Sequence, residues 1–279
     1  MVFKTDVHMG ITNKKLKDLL PLSFTNTPAV SIRKENKVWI ATGMLMHYLE
    51  SFTDSLVVTE ENEKPVGVIG GKEIIQNVVK NPSSDFFDNT TVEQITDPNL
   101  VILSENTTLN ELLDKWKQTR RAFSIIPNSL GGYSAISGRK LLEIGINCIT
   151  DLTISEFPKK DVTYFEQNST LKEIIDSMLE KKTRKLILKD TTNFISDRLI
   201  IQCIAQEFDY FRDVKFLERR IEESFKLEEA KKISKDLNLA EISKIMYTLP
   251  YPYVIYQDQV ITPWDICMAL QSERIEFLG

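Results

Sequence analysis

The sequence has few of the residues from which most catalytic and metal centres are built. Its 279 residues include only two histidines and three cysteines, and no paired cysteine motif is present, so a zinc site cannot be assembled. The cysteines, Cys148, Cys203 and Cys267, are widely spaced among apolar neighbours, which favours buried, reduced thiols over disulfides. No glycine-rich phosphate loop, Gly-x-Ser-x-Gly elbow or His-Glu-x-x-His pattern occurs. We therefore expect a protein that is not an enzyme and that needs no metal.

Long apolar runs and a large excess of positive charge are also missing. The longest apolar runs are too short to span a bilayer, so we expect a soluble, cytoplasmic protein. The 35 basic and 40 acidic side chains give a net charge of −5, which does not favour broad binding to nucleic acid. A DNA-binding regulator would need a helix-turn-helix, and none is evident outside the repeats.

One arrangement occurs four times along the chain. A short apolar strand ends in a small or hydroxyl residue, and an amphipathic helix starts immediately. The four passages are residues 66–74, 134–141, 194–200 and 260–266. The residues at the strand-to-helix junction are Gly70, Ser137, Ser196 and Thr262. Their spacings of 67, 59 and 66 residues are too long for a solenoid unit and about right for a small βαββα lobe.

Each passage follows a second apolar strand and, further upstream, a helix. Polar turn residues separate the two strands, so each pair is predicted to form a hairpin. The upstream strands are residues 55–58, 123–126, 186–188 and 253–256. Apolar residues spaced as i, i+3, i+4 and i+7, for example Leu109, Leu112, Leu113 and Trp116, predict one-faced helices. In the first unit the corresponding helix, near residues 38–49, is less regular.

This arrangement resembles the cystathionine-β-synthase (CBS) domain family, whose members occur as tandem pairs that fold into one module with ligand clefts between the two halves. The resemblance covers about residues 16–272. It implies an α+β fold of four βαββα motifs paired into two modules. The motifs lie at about residues 16–80, 90–146, 151–206 and 225–272, and the modules at 1–150 and 151–279. A chain of this length can bury one large core or two ordinary ones, and the repeat favours two.

The most specific local pattern of the family is Gly-h-h-(Ser/Thr)-x-x-Asp, where h is apolar. Only the fourth motif keeps the hydroxyl and the carboxylate together, as Thr262 and Asp265, and there Gln259 replaces the glycine. The first motif keeps Gly67 and the acid Glu73. The second and third motifs keep Ser137 and Ser196 but have Lys140 and Leu199 at the acid position.

The junction suits a phosphate, because a hydroxyl lies beside the free N–H groups and the positive dipole end of a helix. A carboxylate one turn along the helix can accept hydrogen bonds from two ribose hydroxyls. The resemblance implies that Thr262 binds phosphate and Asp265 binds ribose. Basic residues before the acid position, and others entering the second strands, could add cations to the same clefts. These residues are Lys72, Arg139 and Arg198, and then Arg121 and Arg184.

A structural alternative explains the same residues. Thr262, Pro263 and Asp265 also form a helix-capping sequence, the basic residues suit solvated helix starts, and Tyr253 either packs in its strand or stacks on a base. We therefore hold two hypotheses. The first is a regulatory protein, expected to be a homodimer or to pack its two modules together, that senses AMP, ADP, ATP, S-adenosylmethionine or a cyclic dinucleotide. The second is a protein-interaction scaffold with clefts that no longer bind.

Overall fold

The structure, a computed structural model, describes residues 10–20, 28–47, 55–128, 130–206 and 216–277. Within them, four βαββα motifs follow one another. In each motif the first strand pairs in parallel with the second, and the second and third strands form an antiparallel hairpin. The predicted α+β fold and the four hairpins are therefore confirmed.

The first half of the chain contains two of these motifs. Its elements are α1 (Leu16–Leu19), β1 (Ser31–Arg33), α2 (Val38–His47), β2 (Ser55–Thr59), β3 (Pro65–Gly70), α3 (Gly71–Val78), α4 (Ser84–Asn89), β4 (Val101–Ile102), α5 (Leu109–Thr119), β5 (Phe123–Pro127), β6 (Tyr133–Ser137), α6 (Gly138–Ile146) and β7 (Cys148–Ile149). Three-stranded sheets in the order β1-β2-β3 and β4-β5-β6 form the two motifs.

The second half repeats this plan. Its elements are β8 (Tyr164–Phe165), α7 (Leu171–Glu180), β9 (Lys185–Leu188), β10 (Asn193–Ser196), α8 (Asp197–Gln206), α9 (Ile221–Ser224), β11 (Glu228–Glu229), β12 (Lys231–Ile233), α10 (Leu239–Thr248), β13 (Val254–Tyr256), β14 (Gln259–Ile261), α11 (Pro263–Ala269) and β15 (Glu276–Phe277). The sheets run in the orders β11-β10-β9-β8 and β12-β13-β14. A two-stranded sheet joins β15 to β7 of the first half.

Polar residues in the sequence fix where the first helix of three motifs begins. At the start of α5, Thr108 accepts a hydrogen bond from the Glu111 N–H (3.3 Å), and the Glu111 carboxylate accepts one from the Thr108 N–H (2.8 Å). The same reciprocal pair recurs at α7 and α10. Such a capping box satisfies two backbone donors that the helix itself leaves unbonded.

The helices bury their apolar faces across the two halves of the chain. One large core combines the first and third motifs, for example Val38 and Ile74 with Ile174 and Ile200. The other combines the second and fourth motifs. There are thus two large cores, as the repeat favours, but neither belongs to one half. The division at residues 150 and 151 stays a prediction, and the cores cross it.

The sheets associate differently from the helices. Val57 and Val68 of the first motif pack on Phe123 and Ile125 of the second, which joins the two sheets of the first half face to face. The first and second motifs therefore contact each other through their sheets, and each contacts a motif of the second half through its helices. This arrangement places clefts at the sheet edges, beside the strand-to-helix junctions.

Cys148 and Cys267 are buried free thiols, and Cys203 is partly exposed. In the described ranges, no three His, Cys, Asp or Glu side chains are grouped so that they could hold a metal ion. None of the described helices combines the length and apolar character required to cross a membrane.

Candidate functional sites at the strand-to-helix junctions

The first junction holds a buried ion pair between two motifs. Glu73, in the first turn of α3, accepts a hydrogen bond from the Gly70 N–H (2.9 Å) and a second bond from Arg121 of the second motif. The Arg121 and Glu73 side chains are 12% and 6% exposed. Arg121 also lies 3.5 Å from the carboxylate of Asp97. The carboxylate at the acid position of the first motif, predicted to bind a ligand, is therefore engaged by a cation of the same protein.

The electrostatics of this cluster are visible at Asp97. Burial opposes its ionisation, but hydrogen bonds from Asn99 and the positive charges of Arg121 and Lys72 outweigh that effect and lower the pKa of Asp97. The structure thus places Lys72 beside the cluster formed by Glu73, Asp97 and Arg121. Among them, Asp97 was not predicted from the sequence.

The second junction is a helix cap with a buried arginine beside it. The Ser137 hydroxyl accepts a hydrogen bond from the Lys140 N–H (3.3 Å), which is the capping role. Arg139 is 7% exposed and donates to three carbonyls at the C-terminal end of α10. Burial, with the positive charge of Arg198, lowers the pKa of Arg139 to about 10. Its predicted contact with a ligand stays a prediction.

The third junction contains a second, more exposed ion pair. Ser196 accepts a hydrogen bond from a backbone N–H in the first turn of α8. The next residue, Asp197, is 1% exposed and accepts a 2.7 Å hydrogen bond from Arg184. The guanidinium of Arg198 lies over the ring of Tyr251, 6.0 Å from its centroid.

The fourth junction carries the hydroxyl and carboxylate of the family pattern. One carboxylate oxygen of Asp265 accepts hydrogen bonds from the Thr262 N–H (2.9 Å) and the Thr262 hydroxyl (2.8 Å). The other oxygen accepts from the ammonium group of Lys160, which lies in the segment that leads into β8. The Asp265 side chain is 8% exposed and that of Lys160 is 52% exposed.

A lysine that was not predicted from the sequence lies near this carboxylate. The Lys185 ammonium lies 4.8 Å from the centroid of the Tyr253 ring, so Tyr253 already stacks on a cation. Burial lowers the pKa of Lys185 from 10.5 to about 8; Lys160 and Arg184 add to the effect, and Asp265 opposes it. The cleft between the third and fourth motifs therefore gathers three basic groups around a carboxylate.

The lowered pKa of Lys185 has a consequence for stability. In the folded protein Lys185 is protonated only below about pH 8, where burial disfavours its charge, whereas in the unfolded chain it is protonated up to about pH 10.5. The free energy of unfolding therefore increases as the pH rises from about 8 to about 10.5. We expect Lys185→Met to raise the free energy of unfolding at pH 7 by about 1 kcal/mol, allowing for partial solvent exposure. Urea unfolding measures this, with Lys189→Met as the exposed control. A less stable Lys185→Met protein at pH 7 would contradict the assignment.

In the first half of the chain, backbone hydrogen bonds close the edges between the two sheets. On one side the Ala29 N–H donates to the Tyr133 carbonyl (2.8 Å). On the other side Val68 and Asp97 exchange two hydrogen bonds of 2.9 and 3.0 Å. Gly67 permits this second contact, because a Cβ there would collide with Asp97 and its neighbour.

In the second half, one of the two corresponding edges is open. Strand β11 pairs with Phe194 of β10. Phe194 lies two residues before its junction, as Val68 does in the first half, so this pairing corresponds to the contact between Val68 and Asp97. The residues that match Ala29 and Tyr133 are Val162 and Asp258, and both line a groove of about 1050 Å³. Its lining includes Gln259 and Val260, which lie in the strand that leads into Thr262. The groove therefore follows the strand that leads into the fourth junction, and Thr262 and Asp265 are not among its lining residues.

The structure brings some of the predicted residues together and separates others. Asp265, Thr262, Tyr253 and Arg184 belong to the cleft between the third and fourth motifs, whereas Glu73, Lys72 and Arg121 lie between the first two motifs. Arg139 and Arg198 lie where the two halves meet. The sequence reasoning missed Asp97, Lys160, Asp197 and Lys185. Asp97 and Lys160 each lie four residues before the first strand of their motif, β4 and β8, and this recurrence was the available signal.

The four motifs, their sheet pairing and the junctions at their edges define the class: the chain has the fold of a tandem CBS-domain protein. A protein from Methanocaldococcus jannaschii, described as a proposed archaeal homologue of γ-AMPK, superimposes with a TM-score of 0.74 at 18% identity, over 92% of this chain and 99% of that one. A conserved protein from Pyrococcus horikoshii superimposes with a TM-score of 0.53 at 12% identity, over 92% and 100%.

A shorter structure matches about half of the chain. The CBS-domain protein from Agrobacterium tumefaciens covers 52% of this chain and 98% of its own, with a TM-score of 0.40 and 16% identity. No protein-family model matches the sequence, and comparison with curated proteins gives no match.

Proposed function

We propose that this protein is a non-enzymatic regulatory protein that binds an adenine nucleotide or a related adenosyl ligand between its third and fourth motifs. Binding would be signalled by a change in conformation or assembly. The observation that carries the proposal is the cluster of Thr262, Asp265, Lys160, Lys185 and Arg184 at the fourth junction. The open groove lies along strand β14, which leads into that junction. The groove supplies volume, and the junction supplies one acid and several cations.

The chemistry of the cleft suits the three parts of a nucleotide. Apolar side chains on the walls of the groove along β14, including Val162, Ile187 and Ile255, offer a surface for a base. The carboxylate of Asp265 offers acceptors for ribose hydroxyls. Burial makes protonation of the Lys185 amine costly. A phosphate nearby would supply the opposite charge and make the ammonium form more favourable.

The hydrogen bonds of Asp265 indicate how a ribose would enter. Two of the roughly four acceptor positions of the carboxylate are used by Thr262 and one by Lys160. A ribose diol needs two, so Lys160 must move aside. This costs little because Lys160 is half exposed, and the released ammonium can then pair with a phosphate of the same ligand.

The remaining clefts offer less room or fewer suitable groups. Ser137 lies beside the edge that Ala29 and Tyr133 close, and Glu73 is engaged by Arg121. The third motif has Leu199 at the acid position. The proposal is therefore one ligand for each chain, in the second half.

The second candidate is a protein-interaction scaffold, and the closed edges of the first half favour it. Several of the predicted ligand residues are already engaged by other residues of the chain, among them Glu73 with Arg121, Arg139 with three carbonyls and Arg184 with Asp197. The helical faces that paired modules would bury in a dimer are here packed together within one chain. The expected homodimer remains part of the proposal, and light scattering at micromolar concentration tests it.

A thermal scan of ligand-free protein separates the two functions. AMP, ADP, ATP, S-adenosylmethionine and cyclic dinucleotides are the ligands to compare. At ten times its dissociation constant, a ligand that binds only the folded state stabilises it by about 1.4 kcal/mol, which corresponds to a rise in Tm of roughly 3–6 °C. An unchanged Tm with every one of these ligands at millimolar concentration would favour the scaffold.

A further inference from the structure

The segment that connects α10 to β13 is held by an arginine from the other half of the chain. Arg139 donates to the Pro250 carbonyl (2.9 Å), to the Tyr247 carbonyl (3.1 Å) and to the Leu249 carbonyl. Carbonyls at the end of a helix lack intrahelical partners and carry the negative end of the dipole. A planar guanidinium can bond several of them at once, which an ammonium in the same place cannot.

The helix that carries Arg139 is itself fixed against α10. Helix α6 approaches α10 so closely that a Cβ at Gly145 would collide with Ser243. The hydroxyl of Tyr247 donates to the carboxylate of Glu143 (3.1 Å), one turn after Arg139. Arg139 therefore extends from a rigid support, and the segment it holds cannot shift without breaking several hydrogen bonds.

The far end of this segment forms part of the proposed ligand cleft. The hydroxyl of Tyr251 bonds Gln202 of α8 (3.3 Å). The ring of Phe194 packs edge to face against Tyr251 and Tyr253, with centroid distances of 5.7 and 5.3 Å. Tyr253 then contacts Lys185. Contacts thus run from Arg139 in the first half to Lys185 beside Asp265.

We propose that Arg139 is a positioning residue for the cleft between the third and fourth motifs, because it fixes the segment that presents Tyr253 to Lys185. The contact between the two halves of the chain then sets ligand affinity, and ligand binding strengthens that contact in return. The inference rests on the proposed ligand site for its effect on affinity. The contact between Tyr253 and Lys185 exists without a ligand and can be followed by itself.

The test uses the full chain with Arg139→Met, which removes the donors but keeps much of the apolar length. The control is Arg274→Met, since Arg274 also bonds more than one acceptor, Asp151 and Glu156, but is 45% exposed. Two quantities are measured: nucleotide affinity by calorimetry, and the titration of Lys185 by NMR of ¹³C-labelled lysine, assigned with Lys185→Met.

We expect Arg139→Met to weaken nucleotide binding at least tenfold and to raise the pKa of Lys185 by about half a unit or more, as water enters a loosened cleft. Arg274→Met should change neither quantity. An unchanged Lys185 titration in folded Arg139→Met overturns the proposal, whatever the affinity does. If Arg139→Met does not fold, Arg139→Lys replaces it. We then expect a smaller loss of affinity and a smaller rise in the pKa of Lys185, and an unchanged Lys185 titration again overturns the proposal. If the wild-type protein binds no nucleotide, the proposed function fails, and the titration still decides the role of Arg139.

Discussion

Arg121→Met is expected to lower the free energy of unfolding by about 3 kcal/mol, the lower end of the range for breaking a buried ion pair by removing one partner. The substitution leaves the carboxylate of Glu73 in a site where only 6% of its side chain reaches solvent. Of the hydrogen bonds described for that carboxylate, only the one donated by the Gly70 N–H would remain. Urea unfolding measures the loss, which corresponds to a fall in Tm of roughly 6–12 °C.

Two further variants separate the stranded charge from the loss of packing. Arg121→Met combined with Glu73→Gln removes both charges and keeps an acceptor for the Gly70 N–H, so it should recover much of the lost stability. Arg33→Met breaks exposed pairs with Glu35 and Glu61 and should cost less than 1 kcal/mol. A double variant no more stable than Arg121→Met would show that the ion pair is not what holds the first junction.

Asp265→Asn is expected to weaken nucleotide binding about thirtyfold, or about 2 kcal/mol. Asparagine keeps the size of the side chain and one acceptor for Thr262, but it loses the charge and the second acceptor oxygen that two ribose hydroxyls require. The ligand-free protein should lose no more than about 1 kcal/mol, the usual cost of a helix cap. Calorimetric titration gives the first quantity and urea unfolding the second.

The chain contains a matched control for this substitution. Glu111 accepts bonds from the N–H and the hydroxyl of Thr108 at 2.8 and 3.1 Å, as Asp265 does from Thr262, but it caps an exposed helix start. Glu111→Gln should therefore affect stability in a similar way and leave affinity unchanged. If Asp265→Asn lowers stability but leaves affinity intact, the pair at the fourth junction is only a cap.

The local structure could be predicted because it depends on neighbouring residues. Pairs of apolar strands separated by polar turns predicted the hairpins, and the apolar stripe of residues such as Leu112 and Trp116 predicted the helices. The partners of those stripes could not be predicted, because periodicity shows that a face is buried without showing what covers it. The cores that join the first motif to the third and the second to the fourth are therefore visible only in the structure.

The composition of the candidate site was predictable in part for the same reason. Thr262 and Asp265 lie three residues apart on one helix start, and their contact follows from that spacing. Lys160 and Asp265 are 105 residues apart, and Arg139 and Pro250 are 111 residues apart. Contacts between such distant residues depend on how the motifs pack. Nothing in the sequence singles out Lys185, because its burial comes from that packing.

Native mass spectrometry of the ligand-free protein, with the candidate adenine ligands added one at a time, tests the central claim most directly. The account predicts one bound molecule of at least one of these ligands for each chain, and much less of the complex with Asp265→Asn under the same conditions. If none of the ligands forms a complex, or if Asp265→Asn binds as much ligand as the wild-type protein, a nucleotide site between the third and fourth motifs is contradicted.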